Sequence, residues 1–197
     1  MSKLYPNRKS LRLKGYDYSA PGFYFLTICA HNKQNLFGEI QNGELTPNQL
    51  GKIVVEEWIK SVDIRRELEL YDWILMPNHF HGIIAIKSPE ICRGDRLVAH
   101  SVMECEIQIP GDQPVAPTGP KSKTIGAFIA GFKAAVTTKI NTLRHTPGAQ
   151  VWQRNYYEHV IRNEPEFNRI KEYIQNNPMQ WEEDCFFKKI YPSISGL

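Results

Sequence analysis

Apolar residues along the chain fall into short continuous runs and into longer runs with helical spacing. The short runs at 23–30, 68–77, 79–86 and 151–162 have the length and the aromatic and β-branched content of strands. A Pro-Asn pair joins the second run to the third, so we expect those two strands to be antiparallel neighbours. An Asn-Gly pair at 42–43 predicts a hairpin turn after the first strand.

Three longer stretches repeat apolar residues with the period of an amphipathic helix. The stretch 46–62 opens on a Thr-Pro pair followed by Gln49, which predicts a capped helix that begins at the threonine. A second helix is predicted within 122–146, and a third within 163–178, between an Asn cap and a Pro stop. The predicted core stripes are Leu50, Ile53, Val54, Trp58 and Val62 in the first helix, Ile125, Ile129, Phe132, Val136 and Ile140 in the second, and Phe167, Ile170 and Ile174 in the third.

The predicted order of elements is strand, short strand, helix, strand, strand, helix, strand, helix. This order predicts an α+β fold with a ferredoxin-like antiparallel sheet and helices packed mainly on one face. The pattern breaks between 88 and 120, where five prolines and three glycines fall within 33 residues. We therefore expect a single domain over 1–197 with a flexible surface insertion at 88–120.

Charge is unevenly distributed, although the net charge is only +3. The segment 121–162 holds seven Lys and Arg against one Glu, whereas 88–120 holds five acids and two arginines. Basic regions of this kind suit a polyanionic partner, and ordinary solvated faces are the alternative. The four cysteines form no CxxC pair, and no stretch approaches the roughly 20 apolar residues of a membrane span. We expect a cytoplasmic protein with no membrane association.

Two histidines, His79 and His81, interrupt an otherwise apolar strand. Side chains alternate between the faces of a strand, so both imidazoles point the same way, roughly 7 Å apart at the backbone. Two neutral imidazoles leave most of the charge of a divalent ion available, which suits a Lewis acid acting on a phosphate. Two histidines satisfied by backbone carbonyls are the alternative.

The third predicted helix places Tyr173 and Asn177 four residues apart, and therefore on one face. An Asn amide oxygen can complete a metal site, and a Tyr hydroxyl can act as a nucleophile if a nearby cation or base assists it. A core-packed tyrosine beside an Asn helix stop is the alternative for this pair.

Together these motifs resemble those of single-tyrosine transposases of the histidine-hydrophobic-histidine (HUH) class. MPNHFHGIIAI, at 76–86, is similar to their His signature. VWQRNYYEHVIRNEPEFNRIKEYIQNNPMQW, at 151–181, resembles the C-terminal block of the REP-associated branch. The resemblance continues over 23–40 and 122–140, so it covers most of the chain outside 88–120.

This resemblance implies an RRM-like fold and the cleavage and joining of single-stranded DNA that carries a hairpin. By position, it implies that His79, His81 and Asn177 are ligands of Mg²⁺ or Mn²⁺. Tyr173 would be the nucleophile, acting through a 5′-phosphotyrosine intermediate. Better-known insertion-sequence members have Gln as the third ligand, whereas Asn is the pattern of the REP-associated branch. Homodimers occur in the wider family, and a monomer is equally consistent with the REP-associated branch.

Several other residues are candidates for secondary roles. Tyr156 and Tyr157 lack an amide four residues later, so we expect packing or base stacking from them rather than nucleophilic attack. We expect His159 to be packed on its strand. Candidate phosphate contacts are Lys123, Lys133, Lys139, Arg154 and Arg162.

Three other classes of protein compete with a strand-transfer enzyme. The first is a nuclease-inactive protein that binds structured single-stranded DNA. The second is an RRM-like RNA binder, which would need aromatic residues on exposed strands. The third is a plasmid-type relaxase, whose usual third histidine we do not find.

Overall fold

A computed structural model describes residues 15–88, 123–184 and 186. Its strands are β1 (Gly22–Cys29), β2 (Gly38–Gln41), β3 (Glu44–Pro47), β4 (Leu68–Leu75), β5 (His79–Ile86) and β6 (Tyr157–Ile161). Its helices are α1 (Gln49–Ile64), α2 (Ile125–Arg144) and α3 (Glu164–Asn176). Short 3₁₀ turns lie at His31–Lys33 and Trp181–Glu183. The proposed insertion lies almost wholly outside the described residues, and the single-domain boundary stays a prediction.

Four strands form one antiparallel sheet in the order β4-β5-β1-β6. With β2 and β3 set aside as a separate hairpin, this is the strand order of a ferredoxin-like fold, so the predicted fold class is confirmed. The hairpin turns at Asn42 and Gly43, whose φ angles of 54° and 77° suit a tight turn between twisted strands. The predicted Asn-Gly turn is therefore confirmed.

The helices cover the two faces of the sheet unequally. On one face α1 and α2 bury the main core, and all five predicted stripe residues of α2 are buried there. On the other face α3 packs Ile170 and Ile174 against Phe25 and Ile83. Two of the three helices thus share a face, while the third covers the face that carries the histidines. No helix in the described part of the chain has both the length and the apolar character needed to cross a bilayer.

Strand β5 is buried along its whole length, which explains its continuous apolar character. Phe80 points toward α1, where its ring lies 4.4 Å from that of Trp58. His79 and His81 point to the opposite face, at the end of the strand where β5 begins. The prediction that both imidazoles share one face is confirmed.

Two predicted boundaries were wrong. Helix α1 is capped by Asn48, whose side chain accepts from the backbone of Leu50 and Gly51, while Thr46 pairs with Glu39 in the β2–β3 hairpin. The Thr-Pro pair that suggested the start of a helix therefore belongs to strand β3 of the hairpin. The last strand of the sheet begins only at 157, because the residues before it form loop and one isolated bridge.

Candidate metal and tyrosine site

The two histidines lie side by side beneath the surface. His79 is fully buried and His81 is 1% exposed, with ring centroids 4.5 Å apart. Antiparallel pairing sets Thr27 of β1 opposite His81, so its side chain lies on the same face. The Thr27 hydroxyl is 2.9 Å from Nδ1 of His81. The neighbouring strand β1 therefore holds the His81 ring in place.

Helix α3 brings Tyr173 and Asn177 to these histidines. Its apolar side packs on the sheet, and Gln175 donates to Asp72 of β4 at 3.0 Å. In this position the Tyr173 hydroxyl lies 3.2 Å from Nε2 of His81. Asn177, directly after the helix, is 2% exposed. A single chain thus brings together all four residues that the sequence motifs indicated.

A further residue, Asp184, belongs to this cluster and was not predicted. It follows the Trp181–Glu183 turn, which folds the chain back over the site after α3. Its Oδ2 accepts from Nδ2 of Asn177 at 3.1 Å and lies 3.9 Å from Nε2 of His79. Ligand atoms of Asp184 and of the two histidines lie within 4.8 Å of one another. The acidic run at 182–184 was visible in the sequence, but only the turn aims one of its carboxylates inward.

Burial holds both imidazoles in the neutral state. Burial lowers the pKa of His79 to about 3. Burial, with the neighbouring His79 as the second cause, lowers the pKa of His81 well below its usual range. The contact between His79 and Asp184 is therefore not an ion pair at neutral pH. Neutral imidazoles keep the nitrogen lone pairs that a metal ion requires.

The unsatisfied atoms of the site suit a cation. Nε2 of His79 and Oδ1 of Asn177 are buried and have no hydrogen-bond partner within the described part of the chain. A buried polar atom without a partner costs on the order of 1–3 kcal/mol, so such atoms call for an explanation. Two imidazole nitrogens, an amide oxygen and a nearby carboxylate form a donor set that divalent cations such as Mn²⁺ accept. The residues present therefore fit a divalent metal, and His79, His81 and Asp184 could hold it.

The five candidate phosphate contacts differ in whether their charged groups already have partners within the protein. Lys133 donates to the backbone carbonyls of Gln153 and Asn155 at 2.9 and 3.1 Å, and burial lowers its pKa to about 8. Lys139 pairs with Glu57 of α1 at 2.5 Å. Lys123, Arg154 and Arg162 are exposed. Their role in binding DNA stays a prediction for all five.

Of the other aromatic and histidine residues near the site, Tyr156 and His159 are partly buried and Tyr157 is exposed. Tyr156 donates to Glu158 at 2.9 Å and packs on the main core. Tyr157 is 40% exposed and lies opposite Thr27, on the sheet face that carries the site. His159 lies 2.8 Å from a Glu166 oxygen, which ties β6 to the start of α3.

Two aromatic rings from the segment after α3 lie over the histidines. The ring of Phe186 lies 4.5 Å from that of His79, and Trp181 lies 6.0 Å from the same imidazole. Tyr173 is 40% exposed, so the cluster is open to solvent on the side of this residue. The described structure therefore presents the tyrosine to solvent and keeps the histidines covered.

The fold and this site define a ferredoxin-like α+β domain in which a tyrosine helix lies on a histidine pair. A solved REP-associated tyrosine transposase bound to a REP hairpin has this fold, with a TM-score of 0.50 and 18% identity over 81% of this chain and 68% of that one. The resemblance indicated by the motifs is thereby confirmed at the level of the fold. A proposed transposase from Deinococcus radiodurans R1 overlays less closely, with a TM-score of 0.38 and 17% identity over 84% of this chain and 95% of that one.

A relative with a closer sequence places the chain in a family. It is 40% identical over 181 residues to an uncharacterized protein of Haemophilus influenzae, covering 92% of this chain and 93% of that protein. The chain belongs to the same family as that protein. No family model matches the chain.

Proposed function

We propose that this protein is a metal-dependent single-stranded DNA endonuclease and strand transferase, that is, a transposase-like enzyme. The observation that carries the proposal is the 3.2 Å contact between the Tyr173 hydroxyl and His81, beside two buried unsatisfied atoms that suit a cation, Nε2 of His79 and Oδ1 of Asn177. A nucleophile beside a Lewis-acid site is the arrangement that phosphoryl transfer through a covalent intermediate requires. The fold shared with a REP-associated tyrosine transposase supports the same reaction class.

In this proposal His79, His81 and Asn177 hold a divalent ion, Mg²⁺ or Mn²⁺, and Asp184 is close enough to join them. The bound ion would stabilise the negative charge that develops on the scissile phosphate. The neutral imidazoles and the amide add no negative charge of their own, so the site would retain a net attraction for a phosphate. Burial of the histidines would strengthen that attraction by excluding water.

The reaction would be an in-line exchange of one phosphodiester for another. The Tyr173 oxygen forms a bond to phosphorus as the bond from phosphorus to the 3′ oxygen breaks. The phenolic proton passes to solvent, which reaches this side chain because it is 40% exposed, and the departing 3′ oxygen takes up one proton. A 5′-phosphotyrosine and a free 3′ hydroxyl result. A second 3′ hydroxyl can reverse the step, so strands are joined without ATP.

The proposed substrate is single-stranded DNA with a hairpin near the cleavage site. The transposase with this fold is bound to a REP hairpin, and the exposed Lys123, Arg154 and Arg162 offer positive charge to a phosphate backbone. Phosphate contacts of this kind position a nucleic acid but do not select its sequence.

A covalent-adduct assay tests the proposal. The protein would be mixed with Mn²⁺ or Mg²⁺ and with labelled hairpin DNA from the ends flanking its own gene, then run on denaturing gels. We expect an adduct that EDTA abolishes and that Tyr173→Phe removes. Tyr157→Phe is a matched control because that tyrosine is also 40% exposed, and its adduct should match the wild type. An adduct that persists in Tyr173→Phe would contradict the assignment of the nucleophile.

One observation favours a second candidate, a nuclease-inactive protein that binds structured single-stranded DNA. The ring of Phe186 covers His79, so a phosphate can reach that side of the site only if this ring moves. Tight hairpin binding without an adduct, with both metals and with a range of flanking sequences, would favour this candidate over the enzyme.

A further inference from the structure

Each proposed metal ligand uses one polar atom for the site and has its other polar atom held by a neighbour. The holding contacts are side chain to side chain, and every ligand is at least 98% buried. The contacts are Nδ1 of His79 with Oδ1 of Asn78 at 2.8 Å, Nδ1 of His81 with the Thr27 hydroxyl at 2.9 Å, and Nδ2 of Asn177 with Asp184 at 3.1 Å.

The Asn78 amide has a fixed orientation. Its Nδ2 donates to the backbone carbonyls of Lys33 at 3.2 Å and of Phe186 at 2.8 Å, so the NH₂ group faces two acceptors. Its oxygen must then face His79, and an amide oxygen only accepts. His79 therefore carries its proton on Nδ1, and the lone pair of Nε2 points toward Asn177 and the interior of the site.

His81 reaches the same tautomer by a different route. Its Nε2 lies 3.2 Å from the Tyr173 hydroxyl and its Nδ1 lies 2.9 Å from the Thr27 hydroxyl, and each hydroxyl can donate or accept. A proton on Nδ1 leaves the lone pair on Nε2, toward the proposed metal site, and Thr27, which is 5% exposed, then accepts that proton through its hydroxyl oxygen. Both histidines consequently keep Nε2 as the lone-pair nitrogen, on the side where Asn177 leaves an unsatisfied oxygen.

We propose that Asn78 and Thr27 are positioning residues that hold His79 and His81 as Nδ1–H tautomers with both Nε2 atoms ready for a metal ion. The part of this inference that concerns metal binding rests on the proposed function. Groups that fix the far nitrogen of a metal-binding histidine typically affect metal affinity by about 10–100-fold. Neither residue touches the substrate in this arrangement, because each acts through the imidazole that it holds.

The tautomers can be read directly in the metal-free protein. Long-range ¹H–¹⁵N correlation spectra distinguish the protonated from the unprotonated nitrogen of each imidazole. We expect Nδ1 to be protonated and Nε2 to be unprotonated in both histidines of the wild type. We expect Thr27→Val, which keeps the shape but lacks the hydroxyl, to give mixed tautomers at His81 only. A protonated Nε2 at either histidine of the wild type would overturn the proposal.

Mn²⁺ titration followed by electron paramagnetic resonance gives a second readout that requires no DNA. We expect Asn78→Ala and Thr27→Val to weaken Mn²⁺ binding by about 10–100-fold. Thr27→Ser keeps the hydroxyl at the same place and should bind within a few-fold of the wild type. Asn141→Ala is the matched control, because Asn141 is also a buried asparagine but belongs to α2, on the other face of the sheet.

The outcomes separate this inference from the proposed function. Wild-type affinity in both Asn78→Ala and Thr27→Val would overturn the positioning role, as would a failure of Thr27→Ser to recover binding. If the wild type binds no Mn²⁺ at all, the proposed metal-dependent reaction fails, while the spectra of the metal-free protein still decide whether these residues hold the tautomers. Circular dichroism and thermal unfolding show which variants are folded, and the comparison of Thr27→Val with Thr27→Ser keeps the test usable if Asn78→Ala is not.

Discussion

Removal of the nucleophile should tighten metal binding. In the His81 tautomer proposed above, the Tyr173 hydroxyl donates to Nε2 of His81, which is the nitrogen proposed to bind the metal. An imidazole nitrogen has a single lone pair, so it cannot accept this hydrogen bond and bind an ion at the same time. The metal-free protein therefore loses one hydrogen bond when the ion binds, and Tyr173→Phe avoids that loss.

The size of the effect follows from the contact that is lost. A neutral hydrogen bond contributes about 0.5–1.5 kcal/mol net, which corresponds to roughly a 2- to 13-fold change in affinity. At 3.2 Å this contact is somewhat long for an acceptor nitrogen, and Tyr173 is 40% exposed, so solvent can satisfy its hydroxyl once it is released. We therefore expect Mn²⁺ to bind Tyr173→Phe about 2- to 5-fold more tightly than the wild type.

Isothermal titration of Mn²⁺ into DNA-free protein measures this difference, with Tyr157→Phe as the control that should leave affinity unchanged. The same Tyr173→Phe protein should form no covalent adduct, so one substitution would raise metal affinity and abolish the reaction. Weaker Mn²⁺ binding in Tyr173→Phe would refute the reasoning, because it would mean that the phenolic oxygen is itself a ligand rather than a competitor.

Three further predictions concern stability and DNA binding. In chelator-treated protein the free energy of unfolding should fall as pH drops below about 6.5, because burial lowers the folded-state pKa of His79 to about 3 while the unfolded chain takes up the proton. The loss for this one imidazole is about 1.4 kcal/mol at pH 5.5, and urea unfolding at pH 7.5 and 5.5 measures it; equal stabilities would contradict it. Gly51→Ala should destabilise the protein by about 1–3 kcal/mol in thermal unfolding, since its Cβ would overlap the carbonyl oxygen of Phe37, whereas Gly131→Ala, with open space around it, should not destabilise. Tyr157→Ala should weaken single-stranded DNA binding by about 1–3 kcal/mol in fluorescence anisotropy while Tyr157→Phe does not, and equal losses in the two variants would argue against base stacking.

Periodicity predicted the parts of the fold that depend on which face a residue occupies. The shared face of His79 and His81 follows from the two-residue repeat of a strand, and the position of Tyr173 follows from the helical repeat of α3. The start of α1 did not follow, because Asn48 and Thr46 both suit a helix cap and only the β2–β3 pairing decides between them. Local patterns therefore predicted that a helix forms here, but they did not decide at which of the two residues it begins.

The candidate site was predicted less completely than the fold, because some of its residues follow neither a helical nor a strand repeat. Tyr173 and Asn177 carry a spacing that can be recognised, whereas Asp184 reaches the site through an irregular turn that has no period. The holding contacts of Asn78 and Thr27 depend on side-chain orientation and on pairing between strands that are distant in sequence. Long-range hydrogen bonds of this kind leave no spacing signal in one sequence.

If Asn177 is a metal ligand, as we propose, its position would let a short amide do what the longer Gln would do in the insertion-sequence members of the class that the motifs resemble. The residue lies directly after α3, at 2% exposure, and its backbone N–H still bonds to the carbonyl of Ile174, so the helix itself carries the amide into the site. Asp184 then takes up the NH₂ group at 3.1 Å, which turns the amide oxygen away from the carboxylate and leaves it unsatisfied beside the histidines. An amide held at both its backbone and its nitrogen has little freedom left, so a shorter side chain loses less conformational entropy on binding an ion than a flexible longer one would. In this proposal the end of α3 brings the amide to the histidines, and Asp184 orients it.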